Sequence, residues 1–531
     1  MTRDPTPLPS WQFAVAAVAL VAIGAGILAQ LWIPLGKPIP GEFSDSVDYL
    51  VFADYFRGAF SGTLTPQLTS FFSVTRFPPL FPLALWATGA GLESPLPAYW
   101  LTAACTIACL VTASAWLVRE SGSVAGGLLL AATVALNPGL HLLTLNPVSE
   151  PMFLLLTLVV LLWSRKIETS RGTLLVFALF VGLLPLCRMA GIAIVIATAA
   201  WLQLHRVRSP RERLAASVMM FLPALLWLAY RKLMPVSYNY AEVANLDHIL
   251  TAFGGWGGWL LGQPQRIANA YAESFSPLAH MPAAVIVAIA ALFGIGLFRR
   301  LRRSALDALA LGGYLAVVFC WPYPAEFARL LVVTLPLFLL CAWEGARSLL
   351  KRSSMPELVA CFVVFCATSS ISLPFMIEAG SRALTSTDPD LEPFKRSGSF
   401  FRQSSRNNAL EIAELGARIA ALMDETATIV RRPDCVYTLF TNTLAVHAPD
   451  LDVRAIAYPP RERTSLQDQL SGCRYLLVTY QTSPQESQPP LYPLEQAAGW
   501  MHPELVSRMR FRGREIVAAA LLARTEAVRA N

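Results

Sequence analysis

Apolar residues fill long stretches of this chain, and the polar ones are confined to short intervals between them. Runs near the ~20 residues that carry a helix across a bilayer recur from Trp11 to about Phe375. Eleven can be placed, near 12–35, 98–118, 124–140, 150–164, 173–187, 190–204, 214–230, 282–298, 305–321, 328–346 and 356–375. The intervals alternate in character: short basic clusters follow one run, acids and aromatics the next. With the N-terminus and Arg3 placed in the cytoplasm, the inner loops carry Arg119; Arg165, Lys166 and Arg171; Arg206, Arg208, Arg211 and Arg213; Arg299, Arg300, Arg302 and Arg303; Arg347, Lys351 and Arg352. Every basic cluster in a short loop then lies inside, as the positive-inside rule demands. Shifting the count by one span would put Arg299-Arg300-Leu301-Arg302-Arg303 outside.

One apolar run resists this reading. Arg76-Phe77-Pro78-Pro79-Leu80-Phe81-Pro82-Leu83-Ala84-Leu85-Trp86 is short and carries three prolines. Counting it as a crossing would invert all that follows. Residues 45–92 therefore read as helices lying along the outer interface, which suits Tyr49, Phe52, Tyr55, Phe56 and Phe60. A second long outer loop, about 231–281, holds Tyr238, Tyr240, Trp256 and Trp259. An odd number of spans leaves the C-terminus outside, and from about Glu378 the composition turns globular. There an amphipathic helix over 406–424 precedes strand candidates at Thr426–Val430, Val436–Phe440, Val453–Tyr458, Tyr475–Tyr480 and Ile516–Leu522. The predicted fold is a polytopic α-helical membrane protein of about eleven transmembrane helices, with interfacial helices in the first outer loop. The transmembrane domain would span 1–377 and an extracytoplasmic α/β domain 378–531.

Composition agrees. Charged residues are 15% of the chain, against about 25% in ordinary globular proteins, and the mean hydropathy is +0.50. The formal charge of +7 resides in loops between spans, so it carries no expectation of nucleic-acid binding. Phe13 to Ile33 is long for the apolar region of a cleaved signal peptide, so a retained signal-anchor is expected. The nine cysteines include no Cys-x-x-Cys pair and no Cys/His cluster that would hold zinc. Most read as small buried hydrophobes. Cys435 and Cys473 differ, because both fall in the outer domain, where oxidation is permitted; spacing alone leaves their pairing open.

The residues able to do chemistry gather on the outer side. Asp45, Asp48 and Tyr49 stand at i, i+3 and i+4, on one side of a helix. Outer edges of the spans also carry Arg76, Glu150, Arg188, Glu326 and Arg329. An ionisable group at the edge of an apolar span is a candidate for function. A carboxylate can take a proton from a hydroxyl nucleophile, and arginines can hold a phosphate in bidentate fashion. Each residue also has an ordinary reading. Asp45 would cap its helix and Asp48 would be a solvated helix residue. The three arginines would snorkel to headgroups. Glu150 would sit favourably in a first helical turn, and Glu326 would pair with Arg329 at i, i+3. Their shared side of the membrane favours function.

Asp45-Ser46-Val47-Asp48-Tyr49, followed by an interfacial helix and Arg76-Phe77-Pro78-Pro79-Leu80-Phe81-Pro82, resembles the first outer loop of GT-C integral-membrane glycosyltransferases. These include protein mannosyltransferases and the bacterial aminoarabinose transferase of lipid A. Ser149-Glu150-Pro151, Cys187-Arg188-Met189-Ala190-Gly191 and Glu326-Phe327-Ala328-Arg329-Leu330 before Leu335-Pro336 fall where such proteins carry short motifs. The resemblance covers most of 1–375 and none of the C-terminal domain. It implies a polyprenyl-phosphate sugar donor, an acceptor glycan, lipid or protein, and action outside the cytoplasm of a bacterial inner (plasma) membrane. Asp45 would be the catalytic acid of the first loop, acting as general base. Asp48, Tyr49, Arg76, Glu150, Arg188, Glu326 and Arg329 would bind substrate. Ser46 stands where many members have a second acid, which leaves a divalent metal open without demanding one. A transporter or flippase for a lipid-linked glycan, or a non-catalytic membrane scaffold, stays open as an alternative. The transporter is disfavoured by span interiors almost free of acids and by the absence of an internal repeat.

Overall fold

The structure is a computed structural model. It describes residues 44–64, 68–69, 72, 77–91, 94–144, 146–167, 170–205, 209–233, 249–250, 253–275, 283–321, 326–350, 359–368, 418–419, 421–431, 433–438, 444, 448, 450–455, 472–479, 501–511 and 514–524. The expected first span and signal-anchor, and Arg76, lie outside these residues. The chain divides into two compact units, one comprising Met1–Pro38, Phe77–Arg231 and Tyr240–Arg406, the other Ile39–Arg76, Lys232–Asn239 and Asn407–Asn531.

The first unit is helical. Its elements are α2 (Leu80–Ala87), α3 (Leu96–Ser121), α4 (Val124–Ala135), α5 (Pro138–Thr144), α6 (Glu150–Trp163), α7 (Arg171–Cys187), α8 (Gly191–His205), α9 (Pro210–Leu233), α10 (Trp256–Phe275), α11 (Ala283–Arg302), α12 (Leu306–Phe319), α13 (Phe327–Val332), α14 (Leu335–Leu349) and α15 (Val359–Thr368); α1 (Ser44–Ser61) belongs to the second unit. Among the described residues, helices stand where the apolar runs predicted them, but two of those runs are broken. The 124–140 run divides into α4 and α5, and the 328–346 run into α13 and α14. Prolines explain both interruptions. The ring of Pro336 meets the carbonyl four residues back, at Val332, where α13 ends. Pro138 likewise disfavours helical backbone at Asn137, and the Asn137 side chain accepts from the Leu140 N–H at 3.1 Å to start α5.

Among the described residues, α3, α9 and α11 are long and apolar enough to cross a membrane, and α4, α7, α8, α12 and α15 are shorter apolar helices. α9 and α11 turn most of their surface outward: Leu214, Val218, Leu222, Leu225 and Leu226 on α9, and Val287, Ile295 and Phe298 on α11, are exposed. In a water-soluble protein this would be an aggregation hazard; in a bilayer it is the lipid-facing surface. Inside, α3 packs on α4 and α6, α8 on α12, α10 on α13, and α11 on α14. The α11–α14 crossing depends on Gly296 and Gly345, because a Cβ on either would run into the backbone of the facing helix.

The second unit contains α1 and a five-stranded sheet of order β2-β1-β3-β5-β4. The strands are β1 (Cys435–Thr438), β2 (Asp452–Ala455), β3 (Tyr475–Thr479), β4 (Met501–Phe511) and β5 (Arg514–Arg524). β1 runs parallel to β2 and β3, while β5 is antiparallel to β3 and β4. Both faces are covered. Tyr475, Leu477, Ala519 and Leu521 pack with Leu422, Met423 and Val430, whereas Leu476, Val478, Ala520 and Leu522 point the other way with Met501. That is why β3 and β5 read as nearly continuous apolar runs and not as alternating ones.

One expectation for this region is corrected, and one strand is added. Thr426–Val430 is not a strand: 421–429 is helical. Leu422, Thr426 and Val430 recur every four residues and are buried, and the Thr426 hydroxyl donates to the Leu422 carbonyl at 2.7 Å. β-branched residues suggested a strand, but the helical burial stripe prevails. The converse miss is β4, an edge strand whose Pro503 lies at an irregularity in the register with β5.

Candidate functional site

Glu150, Arg188 and Arg329 come from three distant parts of the helical unit and meet. Glu150 opens α6, with Pro151 in the first turn, and its side chain is fully buried. The helix N-terminus favours a carboxylate there. Arg188 caps α7 with extended backbone, φ −146° and ψ 134°, so its side chain departs from the helix. It pairs with Glu150 Oε1 through Nη1 at 2.7 Å and donates to the Ser149 hydroxyl at 3.2 Å. The tight entry into α8 fixes this turn: the Gly191 N–H donates to the Arg188 carbonyl at 2.8 Å. A Cβ on Gly191 would strike the Leu184 carbonyl. Arg329, on the short helix α13, donates through Nε to the same Glu150 oxygen. The break before Pro336 makes α13 a separate piece.

Arg329 is buried and Arg188 nearly so. Guanidinium groups held out of water by one carboxylate are expensive to assemble and rigid once assembled. Beneath them Tyr314 donates to the Leu330 carbonyl at 3.1 Å and packs on Phe153, the ring centroids 6.0 Å apart. Tyr271 and Thr334 share a buried hydrogen bond next to α13. Ser149 and Tyr314 were not singled out as site residues in the sequence. Ser149 is marked only by its place before Glu150, and Tyr314 sits mid-run among apolar residues, with no pattern to distinguish it.

The remaining candidates fall as follows. Glu326 is exposed and accepts from Trp321 Nε1 at 3.0 Å. Arg329 turns to Glu150, 179 residues away in sequence. Asp45, Asp48 and Tyr49 lie on α1 in the second unit, with Asp45 in the first turn, Asp48 half-buried and Tyr49 buried. The expected helix over this motif is present. Among the described residues, no three His, Cys, Asp or Glu side chains come together.

No family model matches the chain, and no curated protein matches it. Solved structures do. The chain is similar to ArnT from Cupriavidus metallidurans in the apo state, at 12% identity and a TM-score of 0.45, covering 97% of this chain and 99% of that one. The same protein bound to undecaprenyl phosphate gives 12% identity and a TM-score of 0.43, covering 96% and 98%. The archaeal oligosaccharyltransferase AglB from Archaeoglobus fulgidus, in complex with an inhibitory peptide and a dolichol-phosphate, gives 11% identity and a TM-score of 0.43, covering 88% and 69%. Both neighbours are membrane glycosyltransferases of the GT-C superfamily.

Proposed function

We propose that this protein is a glycosyltransferase that moves a sugar from a polyprenyl-phosphate donor to an acceptor hydroxyl at the outer face of a bacterial inner membrane. The observation that carries the reading is the pair of guanidiniums oriented by the buried Glu150. A phosphate at the head of an apolar lipid calls for preorganised, bidentate donors at the ends of apolar helices. A transmembrane domain over 1–377 and an outer α/β domain over 378–531 complete the proposal. The Cys435–Cys473 disulfide, Cα atoms 5.0 Å apart, favours an oxidising compartment for the latter.

In the proposed reaction the Asp45 carboxylate takes the proton of the acceptor hydroxyl. The freed oxygen bonds to the anomeric carbon on the face opposite the phosphate. The carbon–oxygen bond to phosphate breaks, its electron pair leaves on the lipid phosphate, and the configuration inverts. Asp48 and Tyr49 would bind substrate beside Asp45, and Glu326 would do so beside Arg329. Arginines, with Arg76, Arg188 and Arg329 as the candidates, would stabilise the charge that grows on the leaving group. General-base assistance is worth about 10²–10⁴ in rate, and charge stabilisation in a water-poor site as much or more. The test is transfer by the purified protein from a panel of polyprenyl-phosphate sugars to a lipid or glycan acceptor. Release of free polyprenyl phosphate together with a glycosylated acceptor supports the reading; movement of an intact donor between leaflets without bond cleavage would assign a flippase instead.

A further inference from the structure

At the basic end of the α11–α14 pair, arginines crowd around a single buried acid. Glu344 on α14 is 3% exposed and is bridged by Arg299 Nε at 3.4 Å, Arg303 Nη1 at 3.2 Å and Arg347 Nη1 at 3.8 Å. Arg302 stands beside them, its guanidinium 4.4 Å from the centre of the Phe298 ring. The neighbouring acids Glu120 and Asp307 are engaged by Arg300, at 2.9 and 2.6 Å. Around Glu344, then, three arginines share one carboxylate, Arg302 adds a fourth guanidinium on Phe298, and positive charge is in surplus.

The surplus is placed at a particular edge. Arg302 and Arg303 are exposed at the end of α11, and on the same helix Ile295, Phe298 and Leu301 are exposed apolar residues. Ile295, Phe298 and Arg302 follow one another at three- and four-residue steps, so the apolar stripe runs directly up to the guanidiniums. The glycine-mediated crossing at Gly296 and Gly345 holds the two helices at close range, which fixes the platform.

We infer that this corner is a binding site for the phosphate of an anionic phospholipid, with the acyl chains along Ile295, Phe298 and Leu301. An ordinary positive-inside loop has charge without fixed geometry; here Glu344 ties Arg299, Arg303 and Arg347 together at one end of the helix pair, and an exposed apolar stripe adjoins them. Guanidiniums match a phosphodiester in bidentate fashion. The occupant is the membrane's own anionic lipid.

The full-length protein, purified and reconstituted in bilayers of phosphatidylcholine with increasing phosphatidylglycerol, tests this by native mass spectrometry of retained lipid. Arg302→Gln with Arg303→Gln should weaken retention of the anionic lipid about tenfold or more, the scale of losing charge-assisted hydrogen bonds to one bound phosphate. A control pair, Arg171→Gln with Arg211→Gln, removes the same charge from exposed positions elsewhere and should change retention less than twofold. Arg302→Lys with Arg303→Lys retains charge, so it should fold as the parent does and keep an intermediate affinity. The inference is overturned if the two glutamine pairs weaken retention equally, since a diffuse field then suffices. It is also overturned if the parent shows no preference for the anionic lipid, or if inorganic phosphate alone displaces it at matched concentration.

Discussion

Replacing Glu150 by Gln keeps the shape of the side chain and removes the charge that Arg188 and Arg329 share. Breaking a buried ion pair by deleting one partner costs about 3–5 kcal/mol, because the other charge stays buried. Arg188 is 15% exposed on its side chain and can recover some hydration, and the amide oxygen can still accept one hydrogen bond. The expected loss is therefore about 2–4 kcal/mol. Loss of the favourable carboxylate at the α6 N-terminus lies within that figure. The functional loss should be separate. With the guanidiniums no longer aimed, transfer should fall by about 10² at saturating donor, the scale set by a small misplacement of a positioning group. Thermal unfolding of the reconstituted protein measures the first quantity and single-turnover transfer the second. The double variant Glu150→Gln with Arg329→Gln tests the cause. It removes one buried charge along with its partner, so stability should recover relative to Glu150→Gln alone while transfer stays low. If Glu150→Gln unfolds within 1 kcal/mol of the parent and transfers sugar normally, Glu150 orients nothing and the reasoning fails.

Other consequences are simpler. Arg76→Lys keeps charge but loses the bidentate fork, so it should retain partial turnover at saturating donor while Arg76→Gln loses nearly all; equal, near-normal rates would reduce Arg76 to a headgroup anchor. Replacing Cys435 and Cys473 by Ser opens a loop of sequence separation 38. The chain-entropy account gives a loss of about 4 kcal/mol in the C-terminal domain, to be read by limited proteolysis of that domain with and without reductant. Single cysteines at Arg302 and Glu504, in a chain whose exposed Cys320 and Cys366 are serine, should label from opposite sides of sealed vesicles; labelling from one side contradicts the proposed topology.

Much of the helical unit was legible because burial in lipid leaves long apolar runs no other use. Where the runs broke, at Asn137-Pro138 and before Pro336, hydropathy is blind while backbone stereochemistry decides. The C-terminal sheet was legible in part. β3 and β5 are apolar on both faces and stand out, whereas β4 is an exposed edge with a proline and polar residues, which carries little periodic signal. Glu150, Arg188 and Arg329 were recognisable one by one as ionisable groups at the ends of apolar runs. Their meeting was not. Local spacing offered Glu326 as the partner of Arg329, and only the folded helices bring Glu150 across to it.

The central claim is chemical, and one comparison tests it most directly. Purified parent protein and Asp45→Asn are each given a radiolabelled polyprenyl-phosphate sugar at saturating concentration, with acceptor present, and glycosylated acceptor and released polyprenyl phosphate are counted. Asp45 lies within the first turn of α1 and is not its cap; Asn keeps its size and one accepting oxygen at a cost of about 0.3–1 kcal/mol in dipole interaction, so folding and donor binding should survive while product formation falls by roughly 10² or more, the value of a general base. Equal product from both proteins would remove Asp45 from the chemistry, and no bond cleavage by the parent with any donor would contradict the account as a whole.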